Sequence, residues 1–489
     1  SQTSCHQHNR KEIKKILGII TINNFFYFYK YNMTALSLES HSSILDISEP
    51  HIFDESIQSM QYYEYTPATQ QNNNVLGQSI KIDINAQDIY LLPSKSYLSI
   101  KGQIRRQDNN NAYGADAEIT LINNAMMYLF TEIKYDLGAT NIEKITTPGQ
   151  TSSMFGYLSQ PDDFNTSAGL KYCWSKDTAD HPESSEFAAS VADPAAGYTP
   201  TRTANYNQGF AARKAFLFSS NPLGHFSFII PLSHIFGFCD DYKKVIYGMK
   251  HCLSLTRGSD TQALYRDNAV QDGKVDVTHI SWHIPQVTMS PEYLAGMRTL
   301  IESKVTIPLA FRARSSEQIT VSQTRNFTWR LSVTGGVEKP RYIIVAFQTD
   351  RSDNQEQNPG VFNNLNLTNT YVTLNSERYP SSDIITNFTT NDYAKLYDMF
   401  DDFKKNYYGI DSLVGGTQVN YPAFKTLFPI VVFDVRKQNE RLKSGVTDIQ
   451  AKFQFGANVP ANTTAYAIIV SDRFFKMASD GKNMTVVSM

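Results

Sequence analysis

From about residue 75 onward the chain alternates apolar and polar residues with a period of two, and this pattern restricts the possible folds more than any motif does. In "IKIDIN", Ile80, Ile82 and Ile84 face one way while Lys81, Asp83 and Asn85 face the other. "LSIKGQI" sets Leu98, Ile100 and Ile104 against Ser99, Lys101 and Gln103. The alternation returns in "KVTIPLAFR", in "FTWRLSV" with Phe327, Trp329, Leu331 and Val333, and in "DIQAKFQF" with Ile449, Ala451, Phe453 and Phe455. Each run predicts a strand with one dry and one wet face, as in antiparallel sheets packed into sandwiches. Three further runs, "YIIVAF", "PIVVFDV" and "AYAIIV", are apolar on both faces and are expected to lie centrally.

Helices are few. "SPEYLAGMRTLIESK" predicts one with Ser290 as N-cap and Pro291 in the first turn. "TTNDYAKLYDMFDDFKKNYYG" predicts another, opened by a capping box of Thr389 and Asp392 and closed at Gly409. Tyr393, Leu396, Tyr397, Phe400, Phe403 and Tyr407 form its apolar stripe, read as a lid over the end of a sandwich. Between 160 and 212 the alternation fails, and this long polar, Pro-containing stretch is expected to be a surface excursion.

With 489 residues the chain buries roughly three quarters of its unfolded surface, enough for two cores. Its 45 Lys+Arg against 47 Asp+Glu give no global field for nucleic acid or anionic membrane. The local basic groups, Lys11, Lys14 and Lys15 with Arg105 and Arg106, read as solvated faces. Cys5, Cys173, Cys239 and Cys252 are too few and too scattered for a disulfide framework, which favours a reducing compartment. Residues 1–32, with "KKILGIITINNFFYFYKYN", are too short in apolar run for a membrane span and carry no small-residue cleavage site. They are expected to be a leader or upstream translated sequence, with Met33 as the start and 33–59 as an N-terminal arm; the alternative is a real N-terminal anchor.

Two stretches 161 residues apart are alike: "IFGFCDDYKKVIYGM" (235–249) and "LYDMFDDFKKNYYGI" (396–410). Asp240, Asp241, Lys243, Lys244 and Gly248 align with Asp401, Asp402, Lys404, Lys405 and Gly409. A tandem duplication of one sandwich explains the match, with these residues as structural marks of the repeat at exposed ends of short helices. The expectation is an all-β chain of two tandem jelly-roll sandwiches with a few short helices. The first spans 60–288, a helix at 289–304 connects, and the second spans 305–489.

At this point a resemblance becomes specific. "NNAMMYLFTEIKYDLG" (123–138), "HIFGFCDDYKKVIYGMKHCLSLTR" (234–257), "EKPRYIIVAFQTDRSDNQEQNPGVF" (338–362), and "FDVRKQNERLKSGVTDIQAKFQF" with "VPANTTAYAIIVSDR" (433–473) resemble the double jelly-roll major capsid proteins of Polinton or Maverick elements, adintoviruses and virophages. The resemblance implies a homotrimer forming a pseudo-hexameric capsomer of an icosahedral shell, located in the virion and not secreted. It also implies contacts with neighbouring capsomers and with penton or minor capsid proteins, and no catalytic residues or cofactor.

The chain has no G-x-S-x-G, G-x-G-x-x-G or P-loop motif. His279 and His283 in "KVDVTHISWHIP" sit on an alternating strand, about 13 Å apart along the backbone, which is too far for a shared metal ion. Asp350, Asp353 and Glu356 lie three apart, the wrong spacing for a calcium loop, and read as turn chemistry and solvation. The alternative from another class is a carbohydrate-binding or glycoside-processing pair of jelly rolls, with carboxylates brought together from separate strands.

Overall fold

The alternating runs assemble into four main antiparallel sheets, and these pair into two sandwiches. The structure is a computed structural model that describes residues 54–67, 73–85, 88–187, 203–219, 223–332, 339–410, 416–438, 447–481 and 484–488. Residues Ser56–Met489 form one compact unit. The expected leader, 1–32, and most of the expected arm lie outside the described residues.

The first sandwich contains β1 (Ile57–Tyr65), β2 (Ser79–Asn85), β3 (Tyr97–Arg106), β4 (Phe130–Leu137), β5 (Thr140–Thr146), β6 (His225–Pro231), β7 (Lys250–Arg257) and β8 (Gly273–Met289). One sheet runs β1-β8-β3-β6 and the other β2-β7-β4-β5. The second contains β9 (Ile307–Thr320), β10 (Asn326–Leu331), β11 (Lys339–Thr349), β12 (Leu367–Leu374), β13 (Glu377–Tyr379), β14 (Val431–Asp434), β15 (Ile449–Phe455) and β16 (Thr463–Ser479). Its sheets run β9-β16-β11-β14 and β10-β15-β12-β13. Adding eight to each strand of the first sandwich reproduces the order of the second, so the two are topological copies, each an eight-stranded jelly roll.

The period-two reading explains which side chains enter the cores. Ile80, Ile82 and Ile84 are buried, and the residues between them are exposed. β10 does the same with Phe327, Trp329 and Leu331. β11 and β16 are buried on both faces and lie inside their sheet, as expected. The "PIVVFDV" run does not. Its strand, β14, ends the sheet, and its second apolar face is covered by a helix, α5 (described below), instead of by more sheet.

Six helices matter here: α1 (Pro148–Ser159), α2 (Gln208–Phe218), α3 (Gly237–Asp241), α4 (Pro291–Glu302), α5 (Ala394–Tyr408) and α6 (Tyr421–Thr426). α4 connects the rolls and begins after Ser290, whose backbone is extended but whose side chain makes no cap bond. The expected capping box of α5 does not form. Asn387 and Asp392 close a small bridged turn, and the helix starts only at Ala394, with Tyr393 at its N-cap. Gly409 ends α5 in the left-handed region, as the sequence suggested. The described parts of 160–212 are not a simple surface excursion: Cys173, Trp174, Asp177 and Asn207 are all buried there.

The cores interlock. The core of the first roll takes in Leu309, Phe311 and Ala313 of β9 with Phe475 and Met477 of β16. The core of the second takes in Met154, Phe155, Tyr157 and Leu158 of α1, along with Trp174. Helix α1 is buried almost all round, and Gly156 lets the Trp174 ring approach where any Cβ would collide with it.

Within the first core, His251 of β7 is completely buried, with Nδ1 2.8 Å from the Tyr135 hydroxyl and Nε2 unpartnered. Burial depresses its pKa to about 3. An unfolded imidazole takes up its proton near pH 6.5, so the unfolded chain binds more protons below that pH. The stability due to neutral His251 is therefore intact above about pH 6.5 and is lost as pH falls towards 3, at about 1.4 kcal/mol per pH unit. Chemical unfolding of the wild type and of His251→Leu between about pH 6 and 4 is expected to show a pH slope smaller by that amount in the variant.

Candidate functional site: the seam between the rolls

A dense set of buried polar contacts lies where β9 of the second roll meets β5 and α3 of the first. β9 is the outermost strand of its sheet, so one row of its backbone groups has no strand to pair with. Side chains of the first roll take that place. Asp241 accepts from the backbone N–H of Arg312 at 2.8 Å, and Glu143 accepts from that of Arg314 at 2.7 Å. Thr146 donates to the carbonyl of Ser316 at 2.9 Å, and Ser316 returns a bond to the carbonyl of Thr146. Residues 312, 314 and 316 are two apart and so present the same edge.

Glu143 is wholly buried on β5. Besides Arg314 N–H, it accepts from the N–H groups of Gly237 (3.0 Å) and Phe238 (2.8 Å), the first of α3. Burial raises its pKa, against the opposing pull of these N–H donors and the Arg314 charge. Gly237 is required here because a Cβ would overlap the carbonyl oxygen of Arg312.

The two arginines complete the seam. Arg312 clasps Asp241 through Nε (2.8 Å) and Nη2 (2.6 Å), donates to the Tyr407 carbonyl, and stacks 3.6 Å over the Tyr407 ring. Arg314 is 1% exposed, too little for it to be a solvated cation. Its Nη2 lies 2.7 Å from Asp240, its Nη1 faces the carbonyls of Ser233, His234 and Ile235, and its plane stacks 3.6 Å over Phe155. Tyr408 adds a hydroxyl bond to Asp240 at 3.1 Å. Burial opposes the charge on Arg314, and the Tyr407 and Asp240 side chains outweigh it, so its pKa is raised.

Asp240 and Asp241 are therefore not exposed helix ends: they anchor the second roll. The sequence match that singled them out does not relate equivalent positions. Residues 235–249 follow β6, whereas 396–410 precede β14, the counterpart of β6. The corresponding side chains also differ in role. Lys243 and Lys244 are exposed, while Lys404 is buried with its ammonium on the Gly416 carbonyl. Lys405 pairs within its own helix with Asp401 at 2.6 Å and Asp402 at 3.5 Å. Gly248 and Gly409 share only a positive φ.

The stretch 347–362 is structural too: Asp350, Asp353 and Glu356 are exposed, as expected, while Arg351, Gln355 and Asn358 are buried and docked. It links β11 to β12 and reaches into the first roll. Arg351 pairs with Asp180 at 2.6 Å, and Gln355 exchanges two 2.8 Å bonds with the backbone of Gly273. Asn358 is wholly buried and donates to Asp177, which also holds Arg213 at 2.7 Å. Tyr128 and Tyr157 donate to the carbonyls of Pro359 and Gly360. Of the three acids, Asp353 is exposed and Glu356 pairs with Arg266, so they do not converge.

His279 and His283 lie on β8 as expected, yet their side chains lean together, with Nε2 atoms 3.1 and 3.7 Å from Oε1 of Glu64 on β1. Backbone spacing alone misjudged their reach. Among the described residues no group of three His, Cys, Asp or Glu is arranged to hold a metal ion. No described helix is long and apolar enough to cross a membrane. Cys173, Cys239 and Cys252 are free thiols.

What this arrangement does is mechanical: it fixes one barrel on another. The double jelly roll-like domain family matches the chain over residues 197–475. No curated protein matches the sequence. Among solved structures, a chain of the Sputnik virophage superposes with a TM-score of 0.53 at 11% identity, covering 92% of this chain and 93% of that one. The Faustovirus major capsid protein gives 0.51 at 9% identity, covering 94% and 98%. A chain of the PBCV-1 virus capsid gives 0.50 at 9%, covering 90% and 99%. These likenesses establish the fold.

Removing the Glu143 carboxylate by Glu143→Leu strips three buried N–H groups of their acceptor, and a loss on the order of 3 kcal/mol in unfolding free energy is expected. Lys244→Ala, at an exposed position, is expected to stay within about 0.5 kcal/mol of wild type. Urea unfolding of both variants measures the contrast.

Proposed function

We propose that this chain, which belongs to the double jelly roll-like family, is a viral or virus-like major capsid protein and not an enzyme. The observation that carries the reading is the repetition of one eight-strand order in two barrels joined by a buried seam. Two similar barrels held as one rigid body give a subunit with pseudo-twofold content. Three such subunits around a threefold axis make a six-barrel tile with a hexagonal outline, which packs into a closed shell. The protein's place is then the virion capsid, and its partners are two further copies, the neighbouring capsomers, and the penton or minor proteins that fill the vertices. The Sputnik, Faustovirus and PBCV-1 chains of like fold come from viral particles or are capsid proteins, which supports the assignment. The carboxylates of the seam, Glu143, Asp240 and Asp241, are held by hydrogen bonds from the second roll, which supports a structural over a catalytic role. In this reading the boundary between barrels falls in the 289–304 segment.

The purified full chain is expected to show the mass of three copies by light scattering at micromolar concentration, and hexagonal capsomers by electron microscopy. A stable monomer under those conditions would count against the proposal.

A further inference from the structure

A cleft of about 480 Å³ opens beside the seam, within the size range of sites that take up small organic molecules. Met127, Tyr172, Trp174 and Ile230 line it from the first half of the chain. Lys404 and Tyr408 of α5, with Ile410 just beyond the helix, line it from the second. The walls are therefore largely aliphatic and aromatic, and the charged groups set among them do not balance. Asp240 is already committed: its Oδ2 accepts from Arg314 at 2.7 Å and from Tyr408 at 3.1 Å. His234 also lines the cleft, and burial together with the Arg314 charge holds its pKa at about 4, so its ring is neutral at pH 7. Lys404 is different. It is 6% exposed, and its three N–H donors have one acceptor among the described residues, the Gly416 carbonyl at 3.2 Å. Of the two acids whose charge acts on it, Asp401 is held by Lys405 at 2.6 Å and Asp163 is exposed. A buried ammonium without a counter-ion is costly, and burial accordingly lowers its pKa.

We propose that this cleft binds a carboxylate with an apolar body, in chemical class a medium-chain fatty acid, with its head on the ammonium of Lys404 and its chain along Met127, Trp174 and Ile230. Charge complementarity selects the head. One cation with donors to spare calls for one negative charge, whereas the second charge of a phosphate would face the Asp240 carboxylate across the same cleft. The walls select the body, because an acyl chain is flexible enough to follow a surface of mixed aliphatic and aromatic side chains and loses no hydrogen bonds on leaving water. The site needs a single chain, so it stands apart from the capsid reading. A ligand held there touches α5 and the first half of the chain together, and binding to the folded state alone stabilises their joint.

The test uses the full chain and 10-bromodecanoate, whose bromine quenches indole fluorescence at contact range. Trp174 lines the cleft, while the other two tryptophans, Trp282 and Trp329, are buried within the sandwich sheets on β8 and β10. Saturable, partial quenching is expected, and Trp174→Phe is expected to abolish it. Unbrominated decanoate is expected to displace the probe and raise the thermal unfolding midpoint, with decanol weaker by about tenfold or more, the worth of a hydrogen bond to a charged group. Lys404→Met is expected to remove that difference by weakening decanoate and leaving decanol unchanged. Ile410→Trp, at an exposed position on the cleft, is expected to block both ligands at the unliganded midpoint of the wild type, and it decides the matter if Lys404→Met fails to fold. Absence of saturable quenching, quenching that survives Trp174→Phe, equal binding of decanoate and decanol to the wild type, or a folded Lys404→Met that binds decanoate as the wild type does would each overturn the proposal. So would undiminished binding in Ile410→Trp. The mass of the assembled wild type is untouched by any of these results, so the capsid reading stands or falls separately.

Discussion

A buried backbone N–H must find an acceptor, and the open edge of β9 is where this requirement organises the molecule. A neighbouring strand would satisfy it by extending the sheet, and the two rolls would then merge into one. The first roll instead offers two carboxylates and a threonine, spaced to meet alternate residues 312, 314 and 316. Side-chain acceptors and one side-chain donor close the edge without continuing the ladder, so the barrels remain distinct bodies. Because Asp241 accepts from both the N–H and the guanidinium of Arg312, its charge is neutralised by the same residue whose backbone it holds.

The apolar packing follows from this joint. Once β9 is held against β5, Phe311 and Ala313 complete the first core, and α1 enters the second. Burying a side chain such as Phe155 or Leu158 stabilises by about 1.5–3 kcal/mol, and each roll relies on several such residues supplied by the other. Arg314 links the two kinds of contact: its guanidinium is hydrogen-bonded to Asp240 at its rim and stacked on Phe155 with its face. Short charge-assisted bonds set into an interlocked core hold the two barrels in one orientation better than a hinge would.

Much of the fold was legible in the sequence because strand faces are a local property. Ile80, Ile82 and Ile84 point inward whatever lies opposite them, and the alternation in β10 and β15 could be read residue by residue. The seam was not legible. Asp240 and Asp241 stand out along the chain only through a resemblance to 401 and 402 that relates different positions in the two rolls. Glu143, Arg312 and Arg314 carried no signal at all beyond charged residues falling within otherwise alternating runs. The amide-rich stretch 347–362 has the composition of a solvated turn and becomes a dock only because first-roll groups, Asp180, Asp177 and Gly273, meet it.

By itself, the order of residues determined that this chain is built of antiparallel strands, that there are enough of them for two sandwiches, and that its few helices are short. Those properties depend on neighbours within a few positions, where the pleat alone decides which side is dry. Tertiary structure alone decided which carboxylates are buried, how the edge of β9 is sealed, and how the barrels are joined. Those depend on pairs such as Glu143 with Arg314, separated by well over a hundred residues, whose meeting is created by the fold and leaves no periodic trace along the chain.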